Sequence, residues 1–332
     1  MTSLAALLSD RLVLGAIDLS LMALAAAVML RVFGSDRAPH VSAFVWLAVL
    51  AKPLISLAGG TLVHVTAVPR QWAAAEPVGG MAAIAPWVAL AWLIGVFVFA
   101  GRMIRDWWRA DQIIRNAVEP SDDLADFYRQ LAGRSRAPRL RVSSAVTSPA
   151  IAGWIRPVIL IPSWMATNEA PREQLFWSLR HELMHARRLD TLAGLVRRIS
   201  EALLFFHPLV WWAGSRWERS VELACDRAVA RSSEEAAIYA SQLYRILIEM
   251  RKQGERPPVP AMSMMKTEIG RRIRTLLDRP ARPARMLPVA VLIFAAAAAC
   301  AGLTYQPPRP AANPDNCPDA AKHAPVSPTA PR

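Results

Sequence analysis

The chain has 332 residues, of which 54% are hydrophobic, and its formal net charge is +13 at neutral pH. Its positive mean hydropathy is too high for an ordinary water-soluble protein. In so apolar a chain, the basic charge favours the positive-inside pattern of membrane proteins over direct nucleic-acid binding. The three cysteines, Cys225, Cys300 and Cys317, are scattered, which argues against a disulfide framework and against a cysteine zinc site.

Three apolar runs occupy the first third of the chain. Residues 12–32, 41–65 and 81–100 are each long enough to cross a bilayer, so residues 1–104 are predicted to form three transmembrane helices. The first run is too long for the apolar part of a signal peptide, and we expect it to stay in the mature protein. Arginines follow the third run, which predicts a cytoplasmic end there and an amino terminus outside: Arg102, Arg105, Arg109 and Arg115.

Two charges interrupt the predicted spans. Asp18 and Lys52 fall within the hydrocarbon by helix rise, and in an antiparallel hairpin they reach similar depths. We expect them to contact each other, either as a structural pair or as part of a polar pathway.

Residues 105–281 are more polar and are predicted to form a cytoplasmic domain, associated with the membrane in part through the apolar run 202–213. The strand predicted at 157–161 is a candidate edge strand, to which an extended peptide could add. The other predicted elements are a strand at 139–143, helices at 122–131, 215–231 and 234–250, and a basic amphipathic segment at 266–277 that leads back to the membrane.

The carboxyl-terminal region is apolar first and then rich in proline. Residues 282–304 are predicted to form a fourth transmembrane helix that runs outward. Residues 305–332 are predicted to be a disordered tail outside the cell.

The motif His-Glu-x-x-His stands at 181–185. On a helix, His181 and His185 share one face and can both bind one Zn²⁺. Glu182 would take a proton from a water held at the metal and return it to the leaving amine. These residue types at this spacing predict a zinc endopeptidase.

A catalytic zinc needs a third protein ligand, and four residues qualify: Glu201, His207, Glu218 and Glu222. Glu222 and Asp226 lie four apart, so Glu222 could bind zinc while Asp226 hydrogen-bonds a ligand histidine. Asp190 is the other candidate for that supporting role. Cys225 points to another face and is expected to be a small buried side chain.

His207 is a candidate catalytic residue of another kind, because its side chain could stabilise the oxyanion of the tetrahedral intermediate. A structural position before Pro208 is the alternative.

The chain resembles the membrane gluzincins of the BlaR/MecR type, bacterial sensor-transducers of beta-lactams. The resemblance rests on 181–190 (HELMHARRLD), 207–212 (HPLVWW) and 222–226 (ELACD), with weaker likeness from Ser148 to Pro162. In that family the glutamate of the last motif is the third zinc ligand, which supports Glu222.

The resemblance implies a mainly α fold: a polytopic helical protein of the bacterial inner membrane with an embedded α+β zincin domain. It also implies regulated cleavage of a cytoplasmic repressor of the BlaI/MecI-like winged-helix type, self-cleavage, or both. A homodimer is compatible with the resemblance. One departure is the absence of an expected penicillin-binding sensor domain, because only the short tail follows Leu303. Two other functions fit the same motifs, namely a quality-control protease and a non-catalytic membrane adaptor with a structural zinc.

Overall fold

The computed structural model describes residues 2–34, 38–57, 79–133, 137–167, 171–252 and 269–278. The predicted fourth span, the proline-rich tail and the end of the second span lie outside these residues. The described chain is mainly helical with one small sheet, which confirms the mainly α fold class at that level.

Nine helices are described in this part of the chain: α1 (Thr2–Phe33), α2 (Pro39–Leu57), α3 (Gly79–Asn116), α4 (Asp122–Ala132), α5 (Arg172–Arg187), α6 (Asp190–Leu203), α7 (Pro208–Val229), α8 (Ser233–Lys252) and α9 (269–277). The strands are β1 (Arg139–Ser143), β2 (Ala150–Ala152) and β3 (Val158–Pro162).

Of the described helices, two are long and apolar enough to cross a membrane, through Gly15–Val32 of α1 and Pro86–Asn116 of α3. The apolar stretch of α2, Pro39–Ile55, is shorter. Large apolar side chains on α3 face outward, including Trp87 at 71% and Phe97 at 73% exposure. Such a surface is typical of contact with lipid or with another protein. At 38 residues, α3 is about 57 Å long, so its carboxyl-terminal part reaches beyond a bilayer about 30 Å thick.

The apolar helices and the helices of the second half share one core. Leu19 of α1 and Val49 of α2 are buried together with Val210 and Trp217 of α7. The carboxyl-terminal end of α3 packs on the sheet, where Ile113 contacts the cluster of Val158 and Leu160. The second half is therefore held directly against α1, α2 and α3.

The three strands form a sheet in the order β1-β3-β2, with β1 parallel and β2 antiparallel to β3. All five residues of β3 are buried, because α4 and α5 cover one face of the sheet and the end of α3 covers the other. The prediction that 157–161 forms an edge strand was wrong, since β3 is the central strand. The edges are β1 and β2, and a bridge from Val118 to Val142 covers part of β1.

Candidate metal centre

The two histidines of α5 lie one turn apart and point into the same cleft. Their side chains are largely buried, and the two Nε2 atoms are 3.1 Å from each other. The opposite face of α5 carries Leu175, Leu179 and Leu183 into the core beneath the sheet. Burial of this apolar face fixes the helix, so the polar face of His181 and His185 is held toward the cleft.

Helix α7 brings a carboxylate to the same point. The Oε2 atom of Glu222 is 3.5 Å from His181 Nε2, and its Oε1 atom is 3.5 Å from His185 Nε2. In a tetrahedral zinc site with bonds of about 2.0–2.1 Å, neighbouring ligand atoms are about 3.3 Å apart. The spacing of His181, His185 and Glu222 fits such an ion.

The other ring nitrogen of each histidine faces a hydrogen-bond partner. His185 Nδ1 is 3.0 Å from Asp190 Oδ2. His181 Nδ1 is 3.0 Å from the hydroxyl of Tyr239, which itself donates to Asp226 Oδ1 at 3.0 Å. Because the Tyr239 hydroxyl donates its hydrogen bond to Asp226, it accepts one from His181 Nδ1–H. Both Nε2 atoms are therefore directed at Glu222.

Positive charge stabilises this site, because the Nε2 atoms of His181 and His185 meet the carboxylate of Glu222 there. Burial lowers the pKa of His185, but Asp190, Cys225 and Glu222 outweigh burial and raise that pKa to about 11. Burial raises the pKa of Glu222, yet the guanidinium of Arg272 and the two histidines hold it far below its usual value. Arg272 supplies part of this positive charge, at 3.0 Å from Glu222 Oε2. A proton on His185 or a metal ion would supply more, and two imidazoles with a carboxylate are a donor set that fits a divalent cation.

Arg272 of α9 ties the carboxylates of α7 together. Its guanidinium donates to Asp226 at 2.8 and 2.6 Å and lies 3.0 Å from Glu222 Oε2. A planar guanidinium suits two acceptors at once, so it orients the Glu222 side chain and neutralises Asp226, which is fully buried.

Glu182 is 8% exposed and lines a cleft of about 770 Å³ together with the two histidines and Glu222. One wall of this cleft is β2 and the turn before it, from Ser148 to Ile151. The edge strand that meets the site is thus β2.

The structure places His207 away from the cleft. His207 caps the amino terminus of α7, where Leu209 N–H donates to its Nδ1 at 3.3 Å and Ser20 Oγ is 3.2 Å from its Nε2. It is fifteen residues before Glu222 on one helix, or about 22 Å along the axis. His207 therefore lies outside the cleft. Its predicted role in stabilising the oxyanion does not agree with this position.

The other acidic candidates for a third ligand are engaged with arginine. Glu201 lies 2.8 Å from Arg197 Nη1, and Glu218 lies 3.9 Å from the same atom while remaining 62% exposed. Cys225 donates to Asp190 at 3.4 Å and is on the Nδ1 side of His185, away from Glu222. Burial raises the pKa of its thiol to about 11, so the thiol is neutral.

Two residues of this centre could not be found from the sequence. Tyr239 on α8 and Arg272 on α9 belong to no motif and lie far along the chain from His181. The basic segment at 266–277 was predicted to lead back to the membrane, and its described part, α9, packs Ile273 and Leu276 against Tyr239 and Trp177. The amphipathic spacing of that segment indicated that one face of the helix is buried. It did not indicate which residues that face packs against.

Two histidines of a His-Glu-x-x-His helix and a glutamate of a second helix are the ligand types that a His₂Glu zinc peptidase uses. Comparison with protein families agrees: the BlaR1 peptidase M56 model matches residues 58–276, and the chain belongs to that family of membrane-associated metallopeptidases. The resemblance predicted from the motifs is confirmed.

The chain is also similar to the "Regulatory protein BlaR1" of Bacillus licheniformis, with 31% identity over 90 residues. The matched segment covers 27% of this chain and 15% of that relative.

Proposed function

We propose that this protein is an integral-membrane zinc endopeptidase that transmits a signal by cleaving a cytoplasmic transcriptional repressor, itself, or both. The observation that carries the proposal is the meeting of His181, His185 and Glu222, with Glu182 in the same cleft. A purely structural metal site would have no use for a buried carboxylate beside it, which argues against a non-catalytic adaptor.

His181, His185 and Glu222 would hold the zinc, which when bound would supply a Lewis acid for the scissile carbonyl and the attacking water. Glu182 removes the proton of that water and delivers it to the leaving amine. Asp190 and Tyr239 hold the two imidazoles in orientation through their Nδ1 atoms.

The substrate lies along the open edge of β2. An extended peptide adds to such an edge through main-chain hydrogen bonds, which position one bond beside Glu182. Ser148 and Ile151 share the cleft with the metal ligands, so a strand added there passes the reactive groups. This binding mode requires an unfolded stretch in the substrate and suits an exposed linker of a repressor.

The proposed topology has an outside amino terminus, spans at 12–32, 41–65, 81–100 and 282–304, and an outside tail. The peptidase domain at 105–281 then faces the cytoplasm of a bacterial inner membrane. Support comes from the arginines that follow the apolar part of α3 and from the tight packing of α7 on α2. The designation of the Bacillus relative as a regulatory protein supports a regulatory role over a housekeeping one.

The test compares new protein amino termini in cells that express the wild type or Glu182→Gln, together with the zinc content of both purified proteins. We expect the variant to bind zinc normally and to lose the new termini, including one in a winged-helix repressor. Termini that persist in Glu182→Gln would refute catalysis by this site. Termini confined to damaged membrane proteins would instead assign a quality-control protease.

A further inference from the structure

Helix α9 packs on the protein core with one face. Ile269, Ile273 and Leu276 follow a helical spacing of three or four residues, so they form one apolar stripe along the helix. This stripe packs against Trp177 of α5 and Tyr239 of α8, and Leu276 is only 1% exposed. Helix α9 has fewer residues than the about 12–15 that an isolated helix needs in water. Its docking on α5 and α8 therefore stabilises it.

The guanidinium of Arg272 is the contact between α9 and the metal centre. Its Nη1 atom lies 3.0 Å from Glu222 Oε2, and its Nη2 atom lies 2.6 Å from Asp226 Oδ1. The same Nη2 atom is 3.3 Å from the Tyr239 hydroxyl and 3.4 Å from His181 Nε2. One side chain of α9 therefore contacts a candidate metal ligand of α5, another of α7, and the two groups that support His181.

Arg272 bonds to two carboxylates that would otherwise repel each other. Glu222 and Asp226 are one turn apart on α7, and they lie 3.5 and 3.4 Å from the ring nitrogens of His181. Asp226 is fully buried and needs a partner of opposite charge, which Arg272 supplies through two nitrogens. Hydrogen-bonded partners of this kind usually strengthen metal binding, because they hold a ligand in place.

We propose that Arg272 is a positioning residue for the metal and that α9 must be docked for the metal to bind tightly. Docking of the apolar stripe places the guanidinium, the guanidinium places Glu222, and Glu222 completes the ligand set. Metal binding and docking of α9 then favour each other by the same factor. The inference rests on the metal site of the proposed function, and it names α9 as the element through which that site is regulated.

The first experiment measures the zinc affinity of the full chain in detergent by competition with a chelator of known affinity. Arg272→Gln should bind zinc about 10–100-fold more weakly. Leu276→Ala should bind it about five-fold more weakly or worse, although Leu276 belongs to the apolar stripe. Leu277→Ala is the matched control, because this neighbouring leucine is 58% exposed, and it should bind zinc like the wild type. Combining Arg272→Gln with Leu276→Ala should weaken binding no further than Arg272→Gln alone, since both changes break the same connection.

The second experiment measures hydrogen exchange of the wild type with zinc and with chelator, so it depends neither on activity nor on the folding of a core variant. Zinc should slow exchange in α9 about ten-fold and leave α4, which lies outside the centre, unchanged. In Arg272→Gln, zinc should no longer protect α9.

Equal zinc affinities of Leu276→Ala and Leu277→Ala would overturn the proposal, and so would additive losses from Arg272→Gln and Leu276→Ala. A higher zinc affinity of Arg272→Gln would also overturn it, because the guanidinium would then compete with the ion. A wild type that binds no zinc would refute the proposed function itself, whereas a wild type that binds zinc without protecting α9 would refute only this inference.

Discussion

Lys52 Nζ lies 2.7 Å from Asp18 Oδ2, and the two side chains join α1 to α2 with only 11% and 8% exposure. Each charge alone would be costly in an apolar environment, so each makes the other tolerable. The contact expected from the sequence is present. It places a buried ion pair between a helix long enough to cross a membrane and the helix that supports α7.

Removing either charge should destabilise the protein more than removing both. We expect Lys52→Ala or Asp18→Ala to cost about 3–5 kcal/mol, because the buried charge that remains loses its partner at 2.7 Å. The double variant should cost clearly less than the sum, as measured by thermal unfolding in a fixed detergent. If Lys52→Ala is as damaging in the Asp18→Ala background as in the wild type, the two charges are not coupled.

The hydroxyl of Tyr239 is expected to matter for metal binding rather than for folding. Tyr239→Phe removes the acceptor 3.0 Å from His181 Nδ1 and leaves only Asp226 Oδ1, at 3.4 Å, near that nitrogen. Loss of such a supporting partner typically weakens metal affinity about 10–100-fold. Competition with a chelator of known affinity measures the change. Tyr128→Phe is the matched control, because Tyr128 donates to Pro138 O, away from the cleft. Equal zinc affinity of both variants would contradict a role for Tyr239 at His181.

Part of the metal centre could be predicted from the sequence, because its residues are separated by single helical turns. His181 and His185 are separated by one helical turn, and so are Glu222 and Asp226. From spacing alone, Glu201 and Glu218 remained candidates for the third metal ligand. Glu222 is near the Nε2 atoms of both histidines only because α7 packs on α5. Tyr239 and Arg272 depend wholly on that tertiary packing, so no local pattern could identify them.

The start of α7 shows why a helix boundary was missed. The sequence predicted a helix from 215 and a separate apolar run at 202–213. Proline is favourable in the first turn of a helix, where its missing N–H has no partner to lose, and His207 caps the helix. The apolar run at 202–213 is thus the end of α6, a short connection and the first turns of α7.

Helix α8 begins with a reciprocal cap that should make its stability depend on pH. The Glu235 carboxylate accepts from the N–H groups of Arg231 and Ser232 at 2.6 and 3.1 Å, and Ser232 Oγ accepts from Glu235 N–H. These backbone hydrogen bonds lower the pKa of Glu235. The stabilisation is therefore present above the unfolded pKa and is lost as the pH falls through the folded value.

Glu235→Gln should reduce thermal stability at pH 7 and make little difference once the wild-type carboxyl is protonated. Melting curves of both proteins between pH 7 and the acid limit measure this difference. Glu234→Gln, one residue earlier on an exposed position, is the control. A difference between wild type and Glu235→Gln that stays constant across the range would show that the carboxylate charge is irrelevant to the cap.

The connection between α6 and α7 is docked on α3 at a glycine. Trp92 Nε1 donates to Leu203 O at 2.8 Å, Phe99 stacks on Phe205, and the Phe205 ring occupies the space where a side chain at Gly95 would begin. All three contacts fall within the apolar part of α3, so this connection reaches into the span predicted from the sequence. Helix α7 therefore begins beside the residues of α3 that are apolar enough to cross a membrane.

Gly95→Ala should displace Phe205 and cost about 1–3 kcal/mol, the usual effect of overpacking. Gly101→Ala, on the same helix with no atom within 4 Å of the added methyl group, should be neutral or slightly stabilising because alanine favours a helix. Thermal unfolding of both variants in one detergent gives the comparison. Adding Phe205→Leu to Gly95→Ala should restore part of the loss. Equal stability of the two alanine variants would mean that Phe205 does not pack on Gly95.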